Sequence, residues 1–169
     1  MDKGAREWIE QLGLRRHPEG GFFREIYRSE GAIPAGALPE RYGSERSFST
    51  AIYFLLPGDE ISAFHRLQSD ELWFFHVGAP ILIYVLCADG GIERKTLGAQ
   101  CCEGQTPMCV LERGKYFAAE LGGDKSFSLV SCVVAPGFEF ADFELAEREQ
   151  LLRDYPEHHD IIQRLTWGS

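Results

Sequence analysis

The chain has 169 residues, 44% of them apolar, and carries a formal net charge of −9 with histidines neutral. A chain of this length buries enough surface to fold as one domain without disulfides, so residues 1–169 are read as a single unit. The acidic balance, with no Lys/Arg run, excludes the basic face that DNA or RNA binding requires, and no apolar run reaches the ~18 residues of a membrane span. Residues 2–12 place Ala5, Trp8, Ile9 and Leu12 at helical spacing, with Gly13 as the stop. His17-Pro18-Glu19-Gly20-Gly21 reads as a turn into a strand over 22–28. Residues 29–46, punctuated by Gly31, Pro34, Gly36, Pro39 and Gly43, read as a loop on the surface or over a pocket mouth. Strands are predicted over 49–56, 72–77, 81–86, 92–97, 107–111, 115–120 and 126–135. Pro57-Gly58, Gly78-Ala79-Pro80, Asp89-Gly90-Gly91, Gly114 and Gly122-Gly123-Asp124 turn the corners. Many short strands with Gly or Pro at each corner predict an all-β sandwich or barrel. A helix is expected over 144–155, broken by Pro156, which opens a last helix carrying Ile161, Ile162 and Leu165.

The five cysteines fit no framework. Cys101 and Cys102 are adjacent, Cys109 follows, and Cys87 and Cys132 sit in apolar runs. Without a Cys-x-x-Cys pair a structural zinc site has little basis, and reduced thiols acting as small apolar residues are expected. With no signal-peptide pattern at the start, a cytoplasmic setting is expected.

The densest polar cluster is Gly58-Asp59-Glu60-Ile61-Ser62-Ala63-Phe64-His65-Arg66-Leu67-Gln68-Ser69-Asp70-Glu71. Within it and just beyond, Gly58, His65, Glu71 and Gly78 resemble the first cupin motif, with the interval from Gly58 to His65 one residue longer than the usual pattern. Three segments in order narrow the resemblance to the DUF985, or Cupin 5, subfamily. They are His17-Pro18-Glu19-Gly20-Gly21-Phe22-Phe23-Arg24-Glu25, then His65-Arg66-Leu67 with Ser69-Asp70-Glu71-Leu72-Trp73, then Ala135-Pro136-Gly137-Phe138-Glu139-Phe140 with Phe143. The resemblance implies a double-stranded β-helix (jelly-roll) barrel with short N- and C-terminal helices, often a homodimer. It implies no settled activity.

Metal-binding cupins hold a divalent ion with two His and a Glu from the first motif and a His from the second. Here Leu67 stands at the second His and Phe117 at the fourth ligand, leaving His65 and Glu71, short of the three protein ligands a catalytic metal takes. Strand parity turns His76 away from Glu71. His158 and His159, adjacent on a helix, point about 100° apart and read as surface residues. No metal and no other cofactor is expected.

In apolar surroundings a carboxyl is pushed towards its neutral form, so His65 and Glu71 can share a proton as a general acid/base couple, with Glu71 orienting His65. The simpler reading is that the two only hydrogen-bond each other and a strand end. Arg24 and Arg66 are candidate anchors for an anionic group. The competing reading puts Arg66 outside the barrel, paired with Asp70 or Glu25. Glu25, Tyr53 and Ser62 are further pocket candidates, and Trp73, Phe75 and Phe117 could stack on a sugar or base or be plain core. Three functions stand open. One is a metal-independent isomerase or epimerase acting on a carbohydrate or nucleotide-linked ligand. The others are a non-catalytic module binding a nucleotide or sugar phosphate, and a metal-dependent cupin enzyme.

Overall fold

Two antiparallel sheets face each other and enclose the main apolar core between them. A computed structural model describes residues 1–58, 60–123 and 126–168; Asp59 of the polar cluster and Asp124 of an expected turn lie outside the described residues. The chain opens with α1 (Lys3–Leu12), β1 (Arg15–Arg16) and β2 (Phe22–Arg28). The long connection carries β3 (Ala32–Ile33) and β4 (Arg46–Ser47) and leads into β5 (Thr50–Pro57) and β6 (Ser62–Leu67). Then come β7 (Glu71–Gly78), β8 (Ile81–Leu86), β9 (Ile92–Leu97), β10 (Met108–Leu111), β11 (Phe117–Leu121) and β12 (Phe127–Val134). The tail adds β13 (Phe143–Leu145), α2 (Arg148–Asp154) and α3 (His159–Arg164). One sheet runs β1-β2-β5-β12-β7-β10 and the other β13-β6-β11-β8-β9. This is the all-β jelly-roll arrangement with a helix at the N-terminus and helices at the C-terminus.

Between the sheets, Phe54, Leu56, Trp73, Ile83, Phe117 and Val130 form the main core. The outer faces are covered at two places. On the larger sheet, α1 packs Ala5 against Phe22, Leu55 and Leu129. Over the smaller sheet, Leu151 of α2 and Ile162 of α3 join Leu165 against Phe64, Tyr84 and Ala118. Each such Leu or Ile contributes about 1.5–3 kcal/mol by leaving water.

These outer layers explain what the sequence pattern hides. In β6 the residues Ser62, Ala63, Phe64, His65 and Leu67 are all buried, because the helices cover one face and the opposite sheet the other. A strand buried on both faces shows no alternation, so the segment reads as a polar cluster rather than a strand. The helix expected from residue 144 begins at Arg148. Ahead of it, β13 pairs with β6 in the register Phe143↔Leu67, Glu144↔Arg66 and Leu145↔His65. Edge pairing there outweighs helical spacing.

The loop over 29–46 is anchored at its far end by a buried ion pair. Arg46, 1% exposed, donates from Nε to Asp142 Oδ2 and from Nη2 to Asp142 Oδ1, both at 2.7 Å. Its remaining N–H groups reach the carbonyls of Tyr42, Ser44 and Glu45. The loop is thereby tied to the segment carrying Phe140 and Phe143.

Candidate functional site

The turn at 17–21 is built to meet the start of β6. Gly20 has φ +112°, and a Cβ there would stand 2.0 Å from the Ile61 carbonyl oxygen, so only glycine permits the approach. The Glu19 carbonyl accepts from the Ala63 N–H at 2.8 Å, and the Ser62 hydroxyl donates to Glu19 Oε1 at 2.8 Å. Glu19 is thereby held, 6% exposed, inside the molecule.

Its second oxygen, Oε2, lies 3.2 Å from His17 Nδ1 and 3.3 Å from His65 Nε2. His65 is 1% exposed, and its Nδ1 lies 2.7 Å from the Ala63 carbonyl. A carbonyl only accepts, so Nδ1 carries a hydrogen. The contact between Nε2 and Glu19 then requires one proton between them, and the pair has no net charge whichever atom holds it. Burial pushes the Glu19 carboxyl upward, but the charges of His65 and His17 and the hydrogen bonds from His17 and Ser62 outweigh this and hold it below its ordinary range. Burial pushes the His65 imidazole down, against the pull of Glu19.

Glu71 opens β7 on the same cavity. Burial, reinforced by the charge of Glu19, pushes its carboxyl up to about 8, so it is uncharged at neutral pH. Trp73 is its neighbour, although no acceptor stands in hydrogen-bonding geometry to the indole N–H. The Cys132 thiol beside Glu71 is raised well above its ordinary value by burial, which makes it a poor nucleophile.

These groups line a cavity of about 220 Å³ walled by Phe23, Phe54, Trp73, Phe140 and Phe143. Four charges mark its rim: Arg15, Glu25, Arg28 and Glu139. Arg28 spans Glu25 (2.8 Å) and Glu139 (2.7 Å) and donates to the Phe138 carbonyl. Arg15 lies over the Phe23 ring at 4.9 Å.

Of the residues singled out from sequence, His65, Glu71, Trp73 and Glu25 line the cavity. Ser62 supports Glu19 from behind. Phe117 packs against the His65 ring, with centroids 4.2 Å apart, and Phe75 packs on the core without lining the cavity. The other three lie elsewhere. Arg66 is outside, held by Glu144 at 2.9 Å rather than by Asp70 or Glu25, because its neighbour His65 takes the inward position. Arg24 and Tyr53 are cross-strand partners between the inward pair Phe23 and Phe54 and the next residues, and strand alternation turns both outward. Tyr53 shares a shallow outer hollow with His76, which bonds Ser131. The orienting partner of His65 is Glu19, not Glu71. In sequence His17 and Glu19 stand in a turn and in the opening segment of the DUF985 resemblance, neither of which assigns them a role; the cue is an imidazole and a carboxyl two residues apart beside two glycines, with β6 more than forty residues away.

The residues present do not fit a divalent ion. Leu67 and Phe117 offer no donor, and both His65 nitrogens are turned to protein atoms. Among the described residues no three His, Cys, Asp or Glu side chains converge as metal ligands.

Glu71 has a thermodynamic consequence. Its folded-state value of about 8 lies above the ordinary 4.5. The folded chain therefore binds the extra proton between those values, and stability falls as pH rises through that window. Glu71→Gln is expected to remove that slope and to stabilise the chain above pH 8, by an amount on the order of a few kcal/mol. Urea unfolding at pH 5, 7 and 9 reads it; an unchanged slope would show that another group titrates.

Comparison with known proteins agrees with this architecture. The family model described as Cupin superfamily (DUF985) matches residues 6–146. The crystal structure of protein SO0799 from Shewanella oneidensis is similar, with a TM-score of 0.88 and 39% identity over 98% of each chain. A hypothetical protein from Leishmania major gives 0.88 and 33%, over 97% of this chain and 99% of that one. The uncharacterized protein YML079W of Saccharomyces cerevisiae is 29% identical over 160 residues, 88% of this chain and 78% of that one. Oxalate decarboxylase of B. subtilis shares the fold alone, with a TM-score of 0.53 and 14% identity over 91% of this chain and 40% of that one. With its sheets, its motifs and most of its length matched, the chain belongs to the cupin superfamily, in the DUF985 family.

Proposed function

We propose that the cavity is a metal-independent acid–base site for a small, uncharged hydroxy-carbonyl compound of monosaccharide size, acting as an isomerase or epimerase does. The observation that carries this reading is a carboxylate, Glu19, held between two imidazoles in an enclosed cavity that also contains a neutral carboxyl, Glu71. An imidazole removes the proton from the carbon next to the carbonyl while Glu71 donates its proton to the carbonyl oxygen, which yields an enediol. Protonation of the neighbouring carbon, with the second hydroxyl giving its proton to Glu71, yields the isomer; protonation of the original carbon on its other face, with the first hydroxyl returning its proton to Glu71, yields the epimer. General acid–base assistance of this kind contributes typically 10²–10⁴-fold.

Size and charge narrow the ligand. About 220 Å³ is below the ~300–1,000 Å³ of most ligand pockets, which favours a single sugar over a nucleotide-linked one. The four rim charges cancel, Arg28 is already satisfied by Glu25 and Glu139, and Arg24 and Arg66 lie outside the cavity. An uncharged ligand is therefore favoured over a phosphate.

Incubation in D₂O with a panel of neutral three- to six-carbon aldoses and ketoses tests the reading. Proton NMR is expected to show solvent deuterium entering at the carbon beside the carbonyl for at least one member. Thermal stabilisation by a sugar without any exchange would overturn it in favour of a non-catalytic binding module.

A further inference from the structure

Two imidazoles face Glu19, and they differ in what they have left to offer. His65 has no free nitrogen: Nδ1 is given to the Ala63 carbonyl and Nε2 to Glu19. Its ring is also closed in by Phe117 at 4.2 Å and Phe143 at 5.3 Å between centroids. In His17 only Nδ1 is engaged. It stands 3.3 Å from the Glu19 backbone N–H and 3.2 Å from Glu19 Oε2, a donor and an acceptor at nearly equal distance. Nε2 of His17 has no protein partner among the described residues, and its ring lines the cavity, with 6% of the side chain exposed against 2% for His65. Phe23 at 4.6 Å and Phe143 at 5.5 Å meet this ring edge-on, and Phe140 stacks on it at 5.9 Å, so the direction of Nε2 is set.

From this asymmetry we propose that His17, through Nε2, is the group that touches the ligand, and that His65 acts only through Glu19. The two neighbours of Nδ1 give His17 both states that proton transfer requires. With Nδ1–H donating to Glu19, Nε2 is a bare base. With Nδ1 accepting from the Glu19 N–H, Nε2–H is a donor. In the acid–base cycle Nε2 takes the carbon-bound proton to become an imidazolium facing Glu19, exchanges it with solvent through the cavity mouth, and then delivers a proton to the ligand. His65 is thus a positioning residue: with Ser62 it fixes the Glu19 carboxylate that orients His17.

This assignment rests on the acid–base reading for the proton step alone; which nitrogen is open is testable without any substrate. Diethyl pyrocarbonate acylates unprotonated imidazole nitrogens it can reach, and peptide mass mapping of the full chain locates the products. The expected result is loss of the unmodified His17 peptide, along with those of exposed His76 and His159, while the His65 peptide persists. Acylation of His65 as early as His17 would overturn the assignment, as would a His17 peptide that stays intact. If His17 reacts selectively but no sugar exchanges deuterium, the open nitrogen stands and the acid–base reading fails.

Discussion

Asp142→Ala is expected to lower the melting temperature by roughly 10 °C, since breaking a buried ion pair by removing one partner costs about 3–5 kcal/mol and a chain of this length loses about 2–4 °C per kcal/mol. The cost arises because the Arg46 guanidinium stays behind, its side chain fully buried, with two of its N–H bonds lost and its charge uncompensated. Three backbone carbonyls still hold it in place, so it cannot turn to water. The effect extends to the cavity, because Asp142 closes the turn between Phe140 and Phe143, two of its walls. Circular dichroism melts read the change. Replacing both partners by apolar residues, as in Arg46→Met with Asp142→Leu, should recover much of the loss because no charge is then stranded. A drop of only a degree or two in the single variant would mean that the pair is not buried as described.

Glu19→Gln is expected to lower any proton-exchange activity by 10²–10⁴-fold while the fold is kept. Gln is nearly isosteric, and its carbonyl can still accept from the Ser62 hydroxyl. Its NH₂ can donate to His65 Nε2, so no buried polar atom is orphaned. What changes is His17. With a donor in place of the carboxylate oxygen, Nδ1 must accept, the hydrogen moves to Nε2, and the base becomes an acid. In serine protease triads, loss of the correct tautomer through an Asp-to-Asn change costs about 10⁴ in rate, which sets the upper end of the range. Deuterium exchange on a sugar that responds to the native chain measures the loss, and a melting temperature within a few degrees of native confirms that the fold survives. Undiminished exchange would remove Glu19 from the chemistry.

How much of this is legible in the residues follows from range. Turns and strand pairs are local, and the alternation in 22–28, the apolar runs at 49–56 and 126–135 and the glycine and proline corners lead to the observed strands within a residue or two. The motif around His65 and Glu71 marks two of the four groups that meet in the cavity; the other two, His17 and Glu19, stand in the opening segment of the same resemblance, where nothing local assigns them a role. Arg24, Tyr53 and Arg66 fall outside the cavity because a strand side is decided by register, and a shift of one residue reverses it.

Composition and turn chemistry thus suffice for an acidic, all-β sandwich or barrel, and the motif resemblance adds its jelly-roll form with His65 and Glu71 facing inward. Only the tertiary structure could bring Glu19 to His65, since they belong to a turn and a strand separated by 46 positions and joined by the close passage of Gly20 against Ile61. The same holds for Arg46 and Asp142, 96 positions apart. Hydrophobic pattern fixes which side of a strand is dry. Which charged groups then share the dry space depends on how distant segments pack, and no local signal carries that.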